Sequence, residues 1–323
     1  MSDLGEFHDD LRSLARELLS KGDDWQQLVD AGWVGLEVPE SLGGAEATFV
    51  ETAIVLEELG RAAVPSRFLG TVLTVGALTA LSPNNSRDRL LESVAAGTSA
   101  AFASGFTVSG GVVSGRAEYV PDADGAEIVL LLADDGGVPV VVTSADLAVT
   151  AQPVLDETRA LAVVTAEGAA ISELWPLPVD PSALNDRAAV AVACDSLGVA
   201  EAMLSATVDY VKVRQQFGRP IGSFQAVKHA CADMLVQTSV ARQLVNAAVT
   251  QVAEGADASV ASSMAKSYAC GAAVDVVGKA MQLHGGIGYT WESGVHAYLK
   301  RAMLNRALFG SPVEHRRLLA ARY

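Results

Sequence analysis

Apolar residues recur every three or four positions through the first hundred residues, alternate in the middle of the chain, and return to helical spacing from about residue 183. Leu11, Leu14, Ala15, Leu18 and Leu19 form the first stripe, and Ile54, Val55, Leu56 and Leu59 a later one that stops at Gly60-Arg61. Pro83-Asn84-Asn85-Ser86 reads as a turn before a short helix from Arg87 to Ala96, stopped by Gly97. Between about 99 and 180, short β-branched runs such as Val112-Val113, Glu127 to Leu132, Val138 to Thr143 and Ala160 to Thr165 are separated by glycine and acidic turns. Asp134-Asp135-Gly136-Gly137 is a hairpin signal. A helix is then expected from about 184 to 213. A second carries Val227, Cys231, Met234, Ala241 and Val245, and a third Ala265, Tyr268, Ala272 and Val276. The pattern predicts a helical domain over 1–98, a small antiparallel β domain over 99–180, and a helical bundle over 181–323.

Composition narrows the partners. The chain has 323 residues, half of them hydrophobic, enough for more than one core. A net charge of −15 argues against nucleic acid and anionic membrane surfaces. No apolar run approaches the roughly 18–20 residues of a membrane span, and the acidic start lacks the basic and apolar regions of a signal peptide. A cytoplasmic protein is expected. Cys194, Cys231 and Cys270 are widely spaced and lie in apolar helical patterns, so buried free thiols are expected, with no zinc pairing.

Two stretches carry candidate chemistry. Val213-Arg214-Gln215-Gln216-Phe217-Gly218-Arg219-Pro220-Ile221-Gly222 joins two long helices. Its glycines free the backbone, Pro220 stops helix propagation, and Arg214 and Arg219 put fixed positive charge at the corner. A guanidinium suits two-pronged phosphate binding, although an exposed polar turn has the same composition. Gln282-Leu283-His284-Gly285-Gly286-Ile287-Gly288-Tyr289 follows a helix rather than a strand, so it is not a dinucleotide fingerprint. His284 is open to either ligand contact or plain packing. Trp33 reads as core, and His8, His229, His296 and His315 as surface or satisfied core histidines.

The two stretches together, in this order, resemble the C-terminal domain of the acyl-CoA dehydrogenase family. The series Gly32-Trp33, Val38-Pro39-Glu40, Gly43-Gly44 and Glu57-Glu58-Leu59-Gly60-Arg61 resembles its N-terminal domain. The resemblance covers nearly the whole chain and is weakest in the middle. It implies an N-terminal helical domain, a middle antiparallel β barrel and a C-terminal four-helix bundle. It also implies FAD as cofactor, an acyl-CoA substrate and an electron-transfer flavoprotein-type acceptor. Arg214, Gln216, Phe217, Gln282, Gly285 and Gly286 are thereby implied to hold the diphosphate and adenine end of a neighbouring subunit's FAD.

Departures from the family pattern concern the reaction itself. The family removes an α-proton with a carboxylate while hydride leaves for the flavin. Its usual base position falls here on Phe309, and the alternative position on Ala188; neither accepts a proton. Asp186 and Asp195 lie near Ala188 in sequence, with a helix cap and a satisfied polar contact as their plainer roles. The flavin-flanking loop after the first strand is missing, since Phe102-Ala103-Ser104-Gly105-Phe106 goes almost directly to Val112, and Tyr119-Val120-Pro121 replaces the Trp-x-Thr beside the ring. The resemblance therefore implies a subunit working with a base-bearing paralogue, as an α2β2 heterotetramer acting on a steroid-derived or other bulky acyl-CoA. The alternatives are a self-sufficient homomeric dehydrogenase with a relocated base, and a flavin-free structural or acyl-CoA-binding homologue.

Overall fold

The computed structural model describes residues 2–22 and 25–322. Helices α1 (Ser2–Leu19), α2 (Trp25–Asp30), α3 (Phe49–Ala62), α4 (Phe68–Thr79) and α5 (Asn85–Ala95) come first. Strands β1 (Ala100–Ser109), β2 (Val112–Pro121), β3 (Ile128–Asp135), β4 (Val138–Thr143), β5 (Ala148–Ala151), β6 (Leu161–Ala170) and β7 (Glu173–Pro176) follow. The chain ends with α6 (Ser182–Val213), the two-residue strands β8 (Gln215–Gln216) and β9 (Arg219–Pro220), α7 (Gln225–Ala253), α8 (Ser259–His284), α9 (Val295–Ala307) and α10 (Pro312–Ala320). Two compact units result, one of Met1–Lys21, Ala53–Val64 and Ala188–Tyr323, the other of Gly22–Thr52 and Pro65–Arg187.

In the second unit the strands are ordered β5-β6-β2-β1-β3-β4-β7. The expected β domain is present, with two refinements. Five of the six pairings in this sheet are antiparallel, but β1 and β3 are parallel, because the chain crosses from β2 to the far side of β1 before re-entering the sheet. The order runs from β5 to β7, and the described strands form a mixed sheet where a purely antiparallel one was expected. The Gly136-Gly137 hairpin joins β3 to β4 as expected, with Asp135 opposite Val138. One sheet face packs on itself around Phe106, Leu131 and Val164. The other packs on Leu78, Leu91 and Trp175. Helix α4 is buried from Phe68 to Leu78 on every side. It has no polar stripe, so its period is invisible in the sequence. Asn84, read as part of a turn, is the N-cap of α5; its carboxamide oxygen accepts from the backbone N–H groups of Ser86 and Arg87 at 3.1 and 3.0 Å. Trp33 is core, as expected.

The other unit is the helical bundle, with a core of Val199, Met203, Met234, Ala273, Val276 and Val277. Helix α3 lies against α6 through two glycines. A Cβ on Gly60 would stand 2.0 Å from the Asp195 carbonyl oxygen, and one on Gly198 would stand 1.8 Å from that of Glu57. The expectation of no membrane-length apolar run needs correction. By length and composition α6 could cross a membrane, with a window of mean hydropathy 1.5. Yet 78% of that window is buried inside the protein, and its alanines and valines are apolar because they are core. The three thiols are free; Cys194 and Cys270 are buried, but Cys231 is only half-buried, which corrects the expectation for it.

Candidate functional site

Helix α6 delivers Arg214. The Arg214 N–H closes the last helical turn on the Tyr210 carbonyl at 2.9 Å, and its own carbonyl accepts from the Ile221 N–H at 2.8 Å. Between these points the chain makes a minimal hairpin, with Gln216 opposite Arg219 and a two-residue turn at Phe217-Gly218. Both turn residues have positive φ, 54° and 77°. Glycine accepts that geometry freely; a bulky aromatic does so at a cost of about 1–3 kcal/mol. Phe217 is nevertheless 91% exposed, so packing within this chain does not offset the strain. Its ring meets the edge of Phe224, at 6.1 Å between centroids, while the Arg219 guanidinium lies 4.1 Å over the Phe224 ring. The Arg214 side chain is exposed and has no hydrogen-bond or ion-pair partner among the described residues.

The second stretch ends α8. Gly285 terminates the helix at φ 64°, and residues Gly285–Tyr289 form a 3₁₀ turn. A Cβ at either Gly285 or Gly286 would meet nothing within 4 Å, so their bare backbone faces open space. Gln282 is exposed, with its amide oxygen held by the Lys279 ammonium at 2.9 Å.

The fold brings the two stretches together through a pair that the sequence did not single out. The His284 ring stacks on Tyr210, and the Tyr210 hydroxyl donates to the His284 carbonyl oxygen. His284 Nδ1 faces the Ala280 carbonyl oxygen at 2.8 Å. Tyr210 stands one helical turn before Arg214, so this contact fixes the glycine loop beside the arginine turn. The only sequence signal was an aromatic ring four residues ahead of Arg214.

The two positions implied for a base are Ala188 and Phe309, whose side chains accept no proton. Ala188 is buried in α6. Asp195 is fully engaged: its carboxylate accepts from Arg301 Nη2 at 2.6 Å, Arg301 Nε at 2.9 Å and Asn305 Nδ2 at 2.6 Å. It is a paired structural carboxylate, the plainer of its two readings. Asp186 is half-buried and already has an interaction. Phe309 follows α9 at φ 54°. Its carbonyl oxygen is 2.9 Å from His315 Nε2, and His315 Nδ1 is 3.2 Å from Ser263 Oγ, so His315 is a satisfied core histidine. The next carbonyl, of Gly310, accepts from Lys266 Nζ at 2.8 Å; the same ammonium donates to the carbonyls of Asn305 and Arg306 at 2.9 and 3.2 Å. Lys266 is fully buried, and burial lowers its pKa. Burial also raises the Cys270 thiol one turn away. Sequence reasoning missed this latch, although a lone lysine in the alanine-rich stripe of α8 was a usable signal.

The first strand turns straight back into β2 at Gly110-Gly111, whose φ values are 61° and 79°. No loop intervenes at that end. Tyr119 sits at φ 57°, and its N–H donates to the Gln152 side-chain oxygen at 2.7 Å.

The sequence matches the family model for the acyl-CoA dehydrogenase N-terminal domain over residues 7–98, and that for the acyl-CoA dehydrogenase C-terminal domain over 182–323. It is 36% identical over 300 residues to acyl-CoA dehydrogenase IpdE2 of Mycolicibacterium smegmatis, covering 92% of this chain and 86% of the relative. The IpdE2 of Mycobacterium tuberculosis is 38% identical over 299 residues, covering 90% and 83%. Among solved structures, a variant of the Tcur3481-Tcur3483 steroid ACAD superposes with a TM-score of 0.86 at 26% identity, over 99% of both chains. The ChsE4-ChsE5 complex from Mycobacterium tuberculosis gives 0.87 at 24% identity over 98% and 96%, a likeness of fold.

Proposed function

Because the chain belongs to the acyl-CoA dehydrogenase family, we propose that it is the non-base subunit of a heteromeric acyl-CoA dehydrogenase, serving a cofactor whose ring lies in a base-bearing partner. FAD is the cofactor, and it supplies the hydride acceptor for α,β-dehydrogenation when bound. The observation that carries the reading is the exposed guanidinium of Arg214, without a hydrogen-bond or ion-pair partner among the described residues, on the turn that the Tyr210–His284 pair ties to the bare backbone of Gly285 and Gly286.

These residues fit the anionic end of the cofactor. Arg214 is free to grip two phosphate oxygens, and the glycine N–H groups are open to the same anion. Gln216, Phe217 and Gln282 flank them, with the exposed Phe217 ring available to a flat heterocycle. The ring end fits poorly, since β1 and β2 are joined by two glycines where a flavin-flanking loop would have to stand. Nor is a proton acceptor offered at the two base positions: one is Ala188, and the other is Phe309, in a loop latched by Lys266 and His315. This chain's residues hold and orient; the α-proton goes to the partner. The likeness to a steroid ACAD supports a bulky, steroid-derived acyl-CoA, and the likeness to two-chain complexes supports an α2β2 assembly.

Co-expression with a base-bearing acyl-CoA dehydrogenase chain tests this. The expected result is a complex with flavin absorbance and activity, while this chain purified alone is colourless and inactive. Robust turnover by the isolated chain with any acyl-CoA overturns the reading.

A further inference from the structure

A cavity of about 490 Å³ lies between the end of α6 and the start of α7. Val208 and Val211 form one wall, Val227 and Cys231 the other, and Pro220 closes the end. The turn is drawn tight there, because a Cβ on Gly222 would stand 2.9 Å from the Val211 carbonyl oxygen. Val208 and Lys212 are each two residues from Tyr210, so they point about 200° round the helix from the ring that meets His284. The cavity is therefore separate from the cofactor contacts proposed above. Past Val208 and Lys212 it opens into a second hollow of about 420 Å³, which Leu204 and Leu235 also line. Leu235 is 55% exposed. The two hollows share Val208 and Lys212 and make one elongated groove along α6 and α7.

Charge marks one end of this groove. Two lysines and no acid line the first cavity. Lys228 is exposed, with no hydrogen-bond or ion-pair partner among the described residues. It stands in the first turn of α7, which has no acid and no side-chain cap. The helix dipole disfavours a cation at that position and favours an anion, so folding alone gives no reason for this lysine. Lys212 reaches Asp209 at 3.3 Å, an exposed pair of little worth. Burial raises the pKa of the Cys231 thiol, so it is neutral at neutral pH and extends the apolar wall.

We propose that this groove binds an amphipathic monocarboxylic acid, its carboxylate between Lys212 and Lys228 and its apolar body along Val208, Cys231 and Leu235. A mostly apolar hollow with a few convergent polar groups is the usual form of a small-molecule pocket. Its head group follows from the kind of cation. An ammonium is a compact point charge suited to a single negative charge, whereas two-pronged phosphate recognition calls for a guanidinium. No arginine lines the first cavity. In a chain of net charge −15, two ammonium groups at an apolar mouth reverse the local sign and select an anionic ligand. This inference does not depend on the heteromeric reading above.

The test uses the full-length chain and decanoate, kept below the concentration at which it aggregates. Cys231 supplies the readout, since it is half-buried while Cys194 and Cys270 are buried. A maleimide should label Cys231 alone in the folded chain. Decanoate at about ten times its dissociation constant, measured by calorimetry, should slow that labelling about ten-fold. 1-Decanol should protect far less. Lys228→Glu should weaken decanoate binding about five-fold. Val208→Phe and Val227→Phe, which fill the cavity and leave the thiol in place, should abolish it, with far-UV circular dichroism as the folding control. Labelling and calorimetry that are both indifferent to decanoate overturn the proposal. So does equal protection by 1-decanol, or binding that survives both filling variants. Protection of Cys231 by a base-bearing chain and not by decanoate also overturns it, and assigns the groove to that partner.

Discussion

The ring of His284 stacks on that of Tyr210, with centroids 4.3 Å apart and planes 20° from parallel, and the Tyr210 hydroxyl donates to the His284 carbonyl oxygen at 3.3 Å. This pair joins the end of α6 to the end of α8, and with it the arginine turn to the glycine loop. Both rings act by position, since their stacking is what ties the two segments together. Aromatic pairs contribute about 0.5–1.5 kcal/mol beyond area burial. Tyr210→Ala is therefore expected to lower the FAD affinity of the complex by about 2- to 12-fold. Titration by flavin fluorescence quenching reads this, and Tyr210→Phe should lose much less.

Arg214→Ala should cost more, because it removes the charge itself. A charge-assisted hydrogen bond is worth about 1.5–3 kcal/mol, or about 10- to 150-fold in FAD affinity. Arg214→Lys should recover only part, since an ammonium cannot make the two-pronged contact. Sedimentation of the same samples should find assembly intact. Unchanged affinity in Arg214→Ala would reduce the turn to a structural element.

Phe309→Glu is expected to leave the isolated chain inactive. General acid/base groups contribute about 10²–10⁴-fold, so a restored base would be plain in kcat. The β1–β2 connection at Gly110-Gly111 is unchanged by the substitution, and so is the latch on residues 308–311. Substantial acyl-CoA oxidation by this variant alone would show that the site was complete apart from its base.

Lys266→Met should destabilise the bundle by about 1–3 kcal/mol in urea denaturation, because it orphans the carbonyls of Asn305, Arg306 and Gly310. Burial lowers the folded-state pKa of Lys266 below its unfolded value of about 10.4. Between those two values the unfolded chain holds one more proton, so this group's contribution to stability rises with pH. The variant lacks that slope. The gap between wild type and variant should widen as the pH climbs from the depressed value towards the unfolded one, and a gap that narrows would contradict the assignment.

The Gly136-Gly137 hairpin and the helices of the bundle followed from local rules, because turn dihedrals and apolar periodicity are properties of short segments. The arginine turn and the glycine loop were visible as compositions. Their being neighbours was not, since Tyr210 and His284 are 74 residues apart. Helix α4 hid because burial on all sides erases periodicity, and the apolar length of α6 was overlooked although it is core.

The sequence by itself determined the helical and extended segments other than α4, and that Phe309 and Ala188 cannot take a proton, because those are facts of side-chain chemistry and local spacing. Only the tertiary structure decided that β1 and β3 run parallel, that Asp195 is occupied by Arg301 and Asn305, that Lys266 fastens the loop after α9, and that Gly60 and Gly198 let α3 lie against α6. Each of these depends on groups far apart in the chain. What a charge is paired with, or what a missing side chain makes room for, is set by packing between elements and has no local signature.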